Sequence, residues 1–555
     1  MLDELLESGR SYAVLFLCVL LPVGVSAATA KLESTVQEFR VYRVAQFDYQ
    51  GSQYGSRSWR VSHEATALAS RQQVRRALVV YWKDLADDPS NLGNVLHAAL
   101  GSVIIVLPKS IAHFTQEERE KFVELESNLL RQSWPMPIYL AFKTPEMAYM
   151  LQSLQSAQAA AKGSALNALV DAVTANAFQI VGANSASSVT IDKPLYNIIG
   201  KLWAYERGGA VATILVSAYY DTAGAAPALA QGGDSNGSGV AALLELMRLF
   251  HRLYASPKTR PKYNMVFLLS AGGKVNFQGA RQWIEEHIEA DEQDLELALC
   301  LDTLGGGDEL YAHVSKLPKA GSPVAVLHEA IAASAASKGA SSELVQKGIR
   351  LSQPMLDWEH ERFNIRKLRA ATLSRLPAPQ HKLARSILDT SDAVDVKALA
   401  GHVESIAEAL IAYLFRLQPQ QSPKALLGPK GISRENLERW VKALGTGQRS
   451  LAKLAEEGRG SRILADLLAY SEAHSHSAEA KPIPPDPKEP EVVVYGATED
   501  VLSVHRVKPA VFDLLLAAGI AAYLALTYLT VMKLQLFFPL LQGLSGHWSV
   551  KSKAV

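Results

Sequence analysis

The stretch "LVSAYYDTAGAAPALAQGGDSNGSGVAALLELMRLF", residues 215–250, predicts a buried strand, a long loop and an amphipathic helix, in that order. The strand ends at an acidic residue, Asp221, and the loop ends in the Gly-Ser-Gly start of the helix. Loops of this kind meet at the carboxyl edge of a parallel sheet, where hydrolases present metal ligands. This loop contains no histidine, and its only acids are Asp221 and Asp234. The sequence therefore predicts the frame of an active site without a full set of ligands.

Strand and helix patterns alternate around this stretch, over residues 176–417. The predicted strands are apolar runs rich in branched residues: "YNIIGKLWA", "VATILVSAYY", "KYNMVFLLSA", "LELALCLD" and "RAATLSRL". The predicted helices between or after them cover residues 239–254, 277–290, 324–337 and 403–417. This alternation predicts an α/β domain with a mixed sheet that is flanked by helices on both faces.

Three further segments of the chain differ from this domain in composition. Residues 28–175 carry short apolar runs and helical stretches at 116–131 and 146–161, and they predict an N-terminal α/β lobe. Residues 418–480 predict a helical appendage, in which we interpret His474 and His476 as solvated linker residues rather than metal ligands. Residues 481–509 predict a Pro-rich linker and a juxtamembrane strand at "EVVVYG".

Two apolar segments predict a membrane protein. Residues 1–27 have the short apolar run and small-residue site of a signal peptide, although an uncleaved anchor stays open because the preceding residues are acidic. Residues 510–532 are long enough for one transmembrane helix, and residues 533–555 would form a cytosolic tail. We therefore expect a single-pass type I protein with most of the chain in the lumen.

Composition excludes some classes of function. The chain has 56 basic and 55 acidic residues, so it lacks the positive excess that a nucleic-acid-binding protein uses to neutralise phosphates. Its two cysteines are Cys18 and Cys300, and removal of the signal peptide would leave one, so no internal disulfide is expected.

The domain at residues 176–417 resembles the zinc aminopeptidase-like fold of the glutamate carboxypeptidase and transferrin receptor group. Members bind two zinc ions through histidine and carboxylate ligands and use a glutamate as general base. The resemblance places the first histidine at Tyr219, beside the orienting acid Asp221. The other positions are the bridging aspartate, the Glu-Glu pair, a further aspartate and the last histidine, and they fall on Ser235, Gly273, Lys274, Asp302 and Leu388. Five of the six ligand and base positions are substituted, so the resemblance implies no catalytic residue, no metal and no cofactor.

Longer motifs resemble the nicalin family, nicastrin-like proteins of the endoplasmic reticulum membrane. They are "FRVYRVAQFDYQGSQYGSRS", "GGDSNGSGVAALLELMRLFHRLY", "WEHERFNIRKL" and "HRVKPAVFDLLLAAGIAAYL". The resemblance implies a scaffold that acts with a Nodal modulator-like protein and a small polytopic membrane subunit at the Sec translocon, during insertion of multipass membrane proteins. It also implies links to Nodal signalling and receptor assembly.

Two alternatives remain open at this point. One is a nicastrin-like subunit that gates substrates for an intramembrane protease. The other is an active metallopeptidase with relocated ligands at Asp221, Asp234 and Asp302. The chain also contains one Asn-x-Ser/Thr sequon, at Asn236, and a lumenal location predicts that it is glycosylated.

Overall fold

The structure is a computed structural model. It describes residues 36–57, 61–68, 75–87, 92–98, 101–161, 177–182, 193–205, 211–289, 294–350, 352–353, 355–379, 382–417, 421–428, 431–484, 491–507 and 510–532. The predicted signal peptide and cytosolic tail lie outside the described residues.

The described strands are β1 (Gln37–Arg43), β2 (Gln46–Tyr49), β3 (Ser52–Ser56), β4 (Ser62–Thr66), β5 (Ala77–Tyr81), β6 (Ser102–Leu107), β7 (Ser133–Trp134), β8 (Ile138–Phe142), β9 (Ala177–Gly182), β10 (Leu195–Leu202), β11 (Thr213–Tyr219), β12 (Asn264–Ser270), β13 (Leu295–Leu301), β14 (Glu309–Val314), β15 (Ser341–Gln346), β16 (Ala370–Ser374), β17 (Ser477–Ile483), β18 (Val492–Val494) and β19 (Glu499–Val507).

The described α-helices are α1 (Trp82–Ala86), α2 (Leu92–Ala98), α3 (Gln116–Arg131), α4 (Pro145–Ala161), α5 (Gly237–Ala255), α6 (Gln278–Glu289), α7 (Pro323–Ala336), α8 (His360–Ile365), α9 (Val396–Phe415), α10 (Lys424–Leu427), α11 (Arg434–Thr446), α12 (Leu451–Glu457), α13 (Arg462–Ala473) and α14 (Ala510–Met532).

An eight-stranded mixed sheet forms the centre of the larger of two compact units, which contains residues 39–145 and 182–502. Its strand order is β15-β14-β16-β13-β11-β12-β10-β17. Strands β12, β11, β13 and β16 are parallel, so their carboxyl ends lie at one edge of the sheet. The loops that follow these four strands therefore meet there, as the sequence predicts.

Both faces of this sheet are covered. Along β11, Ile214, Val216 and Ala218 contribute to a core with helices α5 and α9, whereas Leu215 and Tyr219 contribute to a second core on the opposite face. Every residue of β11 is buried, which explains its unbroken apolar run. The predicted mixed α/β class is confirmed.

The N-terminal lobe contains a parallel sheet of its own. Strands β4, β5, β6 and β8 run parallel, and β1 pairs antiparallel with β8. A smaller sheet of order β18-β2-β3-β7 joins this lobe to the strand predicted at "EVVVYG". The core of the lobe includes Ala226, Ile387 and Leu388 from loops of the larger sheet.

Residues 418–480 are not an appendage in the described part of the chain. Apolar residues of α11 and α13, among them Leu437, Leu444 and Leu467, belong to the same core as α5. Helical periodicity predicted these helices correctly, but it carries no information about the surface on which they pack. They complete the main core.

The predicted linker also begins later than residue 481. Strand β17 pairs antiparallel with β10 and forms the edge of the large sheet, where Pro482 is tolerated because an edge strand needs hydrogen bonds on one side only. The two histidines before it are anchored: His474 stacks on Tyr470 at 4.2 Å between ring centroids, and Nδ1 of His476 accepts from the Trp203 amide at 3.0 Å. They are therefore not solvated linker residues.

The smaller unit consists of the described parts of residues 1–38, 146–181 and 503–555. It includes α14, which begins and ends at the residues that the sequence predicts for the membrane helix. Within α14, residues 512–529 are apolar enough to cross a membrane and are not buried against the rest of the protein. Helix α9 passes the same test of length and composition, but it is mostly buried and serves as a core helix.

Candidate functional site

The loops at the carboxyl edge of the large sheet bring together the residues that the resemblance singles out, with the exception of Leu388. Tyr219 ends β11 and Asp221 follows it, Asp302 follows β13, and Gly273 and Lys274 follow β12. Ser235 reaches the same point from the loop that precedes α5. These side chains lie in the larger unit and are almost entirely buried.

Asp221 holds two of these loops together. Its Oδ1 accepts from the Gly273 amide at 2.7 Å, and its Oδ2 accepts from the Lys274 amide at 3.0 Å. The side chain is fully buried, and burial raises its pKa despite these bonds. Both oxygens of the orienting acid are thus engaged by the backbone.

The ammonium group of Lys274 lies at the centre of the site. Its Nζ donates to Ser235 Oγ and to the Ala384 carbonyl, both at 2.8 Å, and it lies 5.2 Å from the centroid of the Tyr219 ring. Burial lowers the pKa of Lys274 to about 8, and the negative charge of Asp302 is the largest influence that opposes this shift. The cation therefore has protein partners on several sides.

Tyr219 and Gly273 are sterically matched. The Tyr219 hydroxyl donates to Asp302 Oδ1 at 2.7 Å, and burial raises its pKa. A Cβ added at Gly273 would lie only 2.1 Å from Tyr219 Cγ. The ring therefore occupies the space in which a side chain at position 273 would begin.

The residues present do not fit a pair of zinc ions. Zinc binds imidazole, thiolate and carboxylate groups, whereas this site presents a phenol, a hydroxyl and an ammonium group. Of its carboxylates, Asp221 is engaged by two amides and Asp302 by Tyr219. Across the described parts of the chain, no group of three or more His, Cys, Asp or Glu could hold a metal ion. Relocated ligands at Asp221, Asp234 and Asp302 are thus not supported.

Leu388 does not face this site. It lies in the apolar core of the N-terminal lobe. Its neighbour Asp389 instead supports the site, because its carboxylate accepts from the amides of Asp234 and Ser235, each at 2.9 Å. Burial raises the pKa of Asp389 to about 6. The polar contribution of this loop to the site therefore comes from the residue that follows Leu388.

Two other buried groups were not identified from the sequence. Glu359 accepts from the hydroxyls of Ser217 and Ser270, each at 2.8 Å, and burial raises its pKa to about 7. Arg449 is fully buried and fixes the loop after β11, because its guanidinium donates to the carbonyls of Tyr220, Gln231, Gly232 and Leu444. The acidic residue in "WEHERF" was a visible signal for Glu359, whereas no local pattern marks Arg449.

The environment of Asn236 does not favour its predicted glycosylation. The side chain is fully buried, and its Nδ2 donates to the Leu301 carbonyl at 2.9 Å and to the Tyr219 carbonyl at 3.2 Å. A glycan on this nitrogen would remove a buried hydrogen bond and would have no path to solvent. A sequon by itself gives no information about burial, so glycosylation of Asn236 stays a prediction to be measured.

Residues 197–407 match the model of Peptidase family M28. Relatives include the BOS complex subunit NCLN of Homo sapiens, 35% identical over 518 residues that cover 91% of each chain, and nicalin of Caenorhabditis elegans, 30% identical over 559 residues that cover 95% of this chain and 96% of the relative. These relatives are named as a complex subunit and as nicalin, not as peptidases.

Among solved structures, the γ-secretase component nicastrin superposes with a TM-score of 0.55 at 10% identity, covering 84% of this chain and 99% of that chain. At this identity the similarity shows a shared fold. Together with the match to the M28 model, it confirms the aminopeptidase-like architecture that the sequence predicts.

Proposed function

Because the chain belongs to the nicalin family, we propose that it is a non-catalytic subunit of a membrane-associated complex of the kind for which its relatives are named, the BOS complex. The match extends over almost the whole chain, which supports a similar role rather than a shared domain alone. In this proposal the aminopeptidase-like domain is a scaffold.

The observation that carries the proposal is the position of Lys274. Its ammonium group fills the centre of the site and bonds to Ser235 and Ala384, where a two-metal peptidase needs an open, anionic cradle. A buried cation also repels a second cation at short range. The polar groups of the site thus bond to one another, which favours a structural role over catalysis of hydrolysis.

The finer proposal follows from the family resemblance. We place the protein in the endoplasmic reticulum membrane, with α14 as its single span and the larger unit in the lumen. Its partners would be a Nodal modulator-like protein, a small polytopic subunit and the Sec translocon, and its role would be in the insertion of multipass membrane proteins. Effects on Nodal signalling or receptor assembly would follow from clients of that complex.

Affinity purification tests this proposal. The full-length tagged protein is isolated in a mild non-ionic detergent, and co-eluting proteins are identified and quantified. A single-pass membrane protein of the same compartment with the same tag is the control. We expect stoichiometric recovery of the named partners with the wild type and not with the control.

Two results would contradict the proposal. Stoichiometric recovery of an intramembrane protease would favour the nicastrin-like alternative. Recovery of no membrane partner above the control would remove the scaffold role altogether.

A further inference from the structure

A cavity of about 550 Å³ lies over the site within the larger unit. This volume is in the range of small-molecule sites. Tyr219, Lys274 and Asp302 line it from the loops of the large sheet. Apolar side chains line much of the remainder, and they include Phe277, Met355, Leu356, Trp358 and Leu376.

Arg385 is a cation in this cavity that forms no ion pair with a described residue. It ends a short 3-10 helix, and its Nη2 donates to the Lys274 carbonyl at 3.0 Å and lies 3.8 Å from Met355 Sδ. Neither group is negatively charged, and among the described residues Arg385 forms no ion pair. By contrast, Arg375 pairs with Asp234 at 2.7 Å.

The guanidinium of Arg385 is accessible because it faces the cavity. The protein surrounds it closely enough that burial lowers its pKa, yet its surface is exposed. An arginine keeps its charge in such a position and presents five N–H donors. Most of these donors are therefore free to bind a group that enters the cavity.

The carboxylates that line the cavity are engaged by other groups, and Asp221, which is not among them, only partly opposes the effect of burial on the pKa of Arg385. Asp302 accepts from Tyr219, Asp357 pairs with Lys347, and Glu359 accepts from two serines. The cation Lys274 is likewise engaged by Ser235 and Ala384. Among the described residues that line the cavity, Arg385 is thus a charged group that lies beside the site and remains available.

We propose that the cavity binds a monoanionic carboxylate ligand with an apolar body, and that Arg385 anchors its carboxylate. The guanidinium fork matches a carboxylate in a bidentate arrangement, and the apolar wall near Met355 accommodates the rest of the ligand. A dianion is disfavoured because Asp302 and Asp357 lie in the same wall. The ligand would be either a small organic acid or the carboxyl terminus of a peptide.

The probe for the small acid is 3-(4-fluorophenyl)propionate, and its uncharged control is the corresponding amide. Binding to the full-length protein in a non-ionic detergent is measured by broadening of the fluorine resonance. We expect a Kd of about 1 mM or lower for the acid and at least about tenfold weaker binding of the amide. The peptide Ala-Ala-Phe, with a free or an amidated carboxyl end, is then tested as a competitor.

Variants assign the binding to Arg385. Arg385→Gln should weaken binding of the acid at least about tenfold. Met355→Glu keeps the arginine but places a competing carboxylate beside it, and it should have the same effect. Arg462→Gln is the control, because that side chain is 96% exposed, and it should bind the acid like the wild type. Thermal unfolding of each variant shows that it is folded.

The outcomes separate clearly. Tighter competition by the free peptide than by the acid identifies a peptide terminus as the ligand class, whereas weaker competition identifies a small acid. Equal binding of acid and amide, unchanged binding in both cavity variants, or no binding of any probe at about 10 mM would overturn the proposal.

Discussion

Replacement of Lys274 by methionine should destabilise the protein, because the change leaves two buried oxygen atoms without their donor. The variant loses the bonds from Nζ to Ser235 and Ala384. A buried acceptor left without its donor typically costs about 1–3 kcal/mol, and the removed cost of burying the cation offsets part of the loss of two such bonds. We therefore expect the free energy of unfolding to fall by about 1–3 kcal/mol at pH 7.

A double-mutant cycle identifies the charge that Lys274 neutralises. Asp302 is the anion with the largest influence on the lysine, and both side chains contact the Tyr219 hydroxyl. Asp302→Asn should therefore relieve about 1–3 kcal/mol of the cost of Lys274→Met. The assay is chemical denaturation of the full-length protein in detergent, followed by tryptophan fluorescence. Lys316→Met, at an exposed position, should change stability by less than about 0.5 kcal/mol.

The difference in the free energy of unfolding between the wild type and Lys274→Met should depend on pH with a defined sign. The folded pKa of Lys274, about 8, lies below its unfolded value, so the native state releases the proton first. The wild type should therefore gain stability relative to Lys274→Met as the pH rises from about 8 to about 10.4, by about 3 kcal/mol. Equal stabilities of wild type and Lys274→Met at pH 7, or strictly additive effects in the cycle, would refute this account of the site.

Three further predictions concern single residues. Gly273→Ala should lower the free energy of unfolding by about 1–3 kcal/mol in a denaturation experiment, because its Cβ would overlap Tyr219. Gly460→Ala, whose Cβ would have no atom within 4 Å, should be nearly neutral, and equal costs of the two changes would contradict the steric match. Burial raises the pKa of Glu126 to about 7, so the free energy of unfolding of the wild type should fall by about 3 kcal/mol as the pH rises from about 4.5 to 7. Glu126→Gln should lack this fall, and parallel pH profiles of the two proteins would contradict the raised pKa. Endoglycosidase treatment should produce no mobility step at the buried Asn236, and a step that Asn236→Gln abolishes would contradict the structure.

The parts of the fold that the sequence predicted are those in which burial dictates composition. Strand β11 is buried on both faces and reads as an apolar run, and α5 buries most of its surface behind it. Strand β17 was missed because Pro482 and its charged neighbours are typical of a linker, and only pairing with β10 makes them an edge strand.

Residue identities alone predicted which chemical groups the site contains, but not which partners bond to its buried charged groups. Tyr219, Ser235 and Lys274 exclude a zinc set by identity alone. The partners that satisfy the buried charges come from distant positions: the Ala384 carbonyl binds Lys274 across 110 residues, and Arg449 binds the loop after β11 across more than 200. Local patterns carry no information about such contacts.

The zinc content of the purified protein tests the central claim most directly, namely that this aminopeptidase-like site is held together by Lys274 and does not bind catalytic metal. The full-length protein is purified, exposed to excess zinc, passed through a desalting column and analysed for metal by elemental analysis, with peptide hydrolysis measured on the same sample. We expect far less than one zinc ion per chain and no hydrolysis above a buffer control. Two zinc ions per chain, with hydrolysis that Asp302→Asn abolishes, would contradict it.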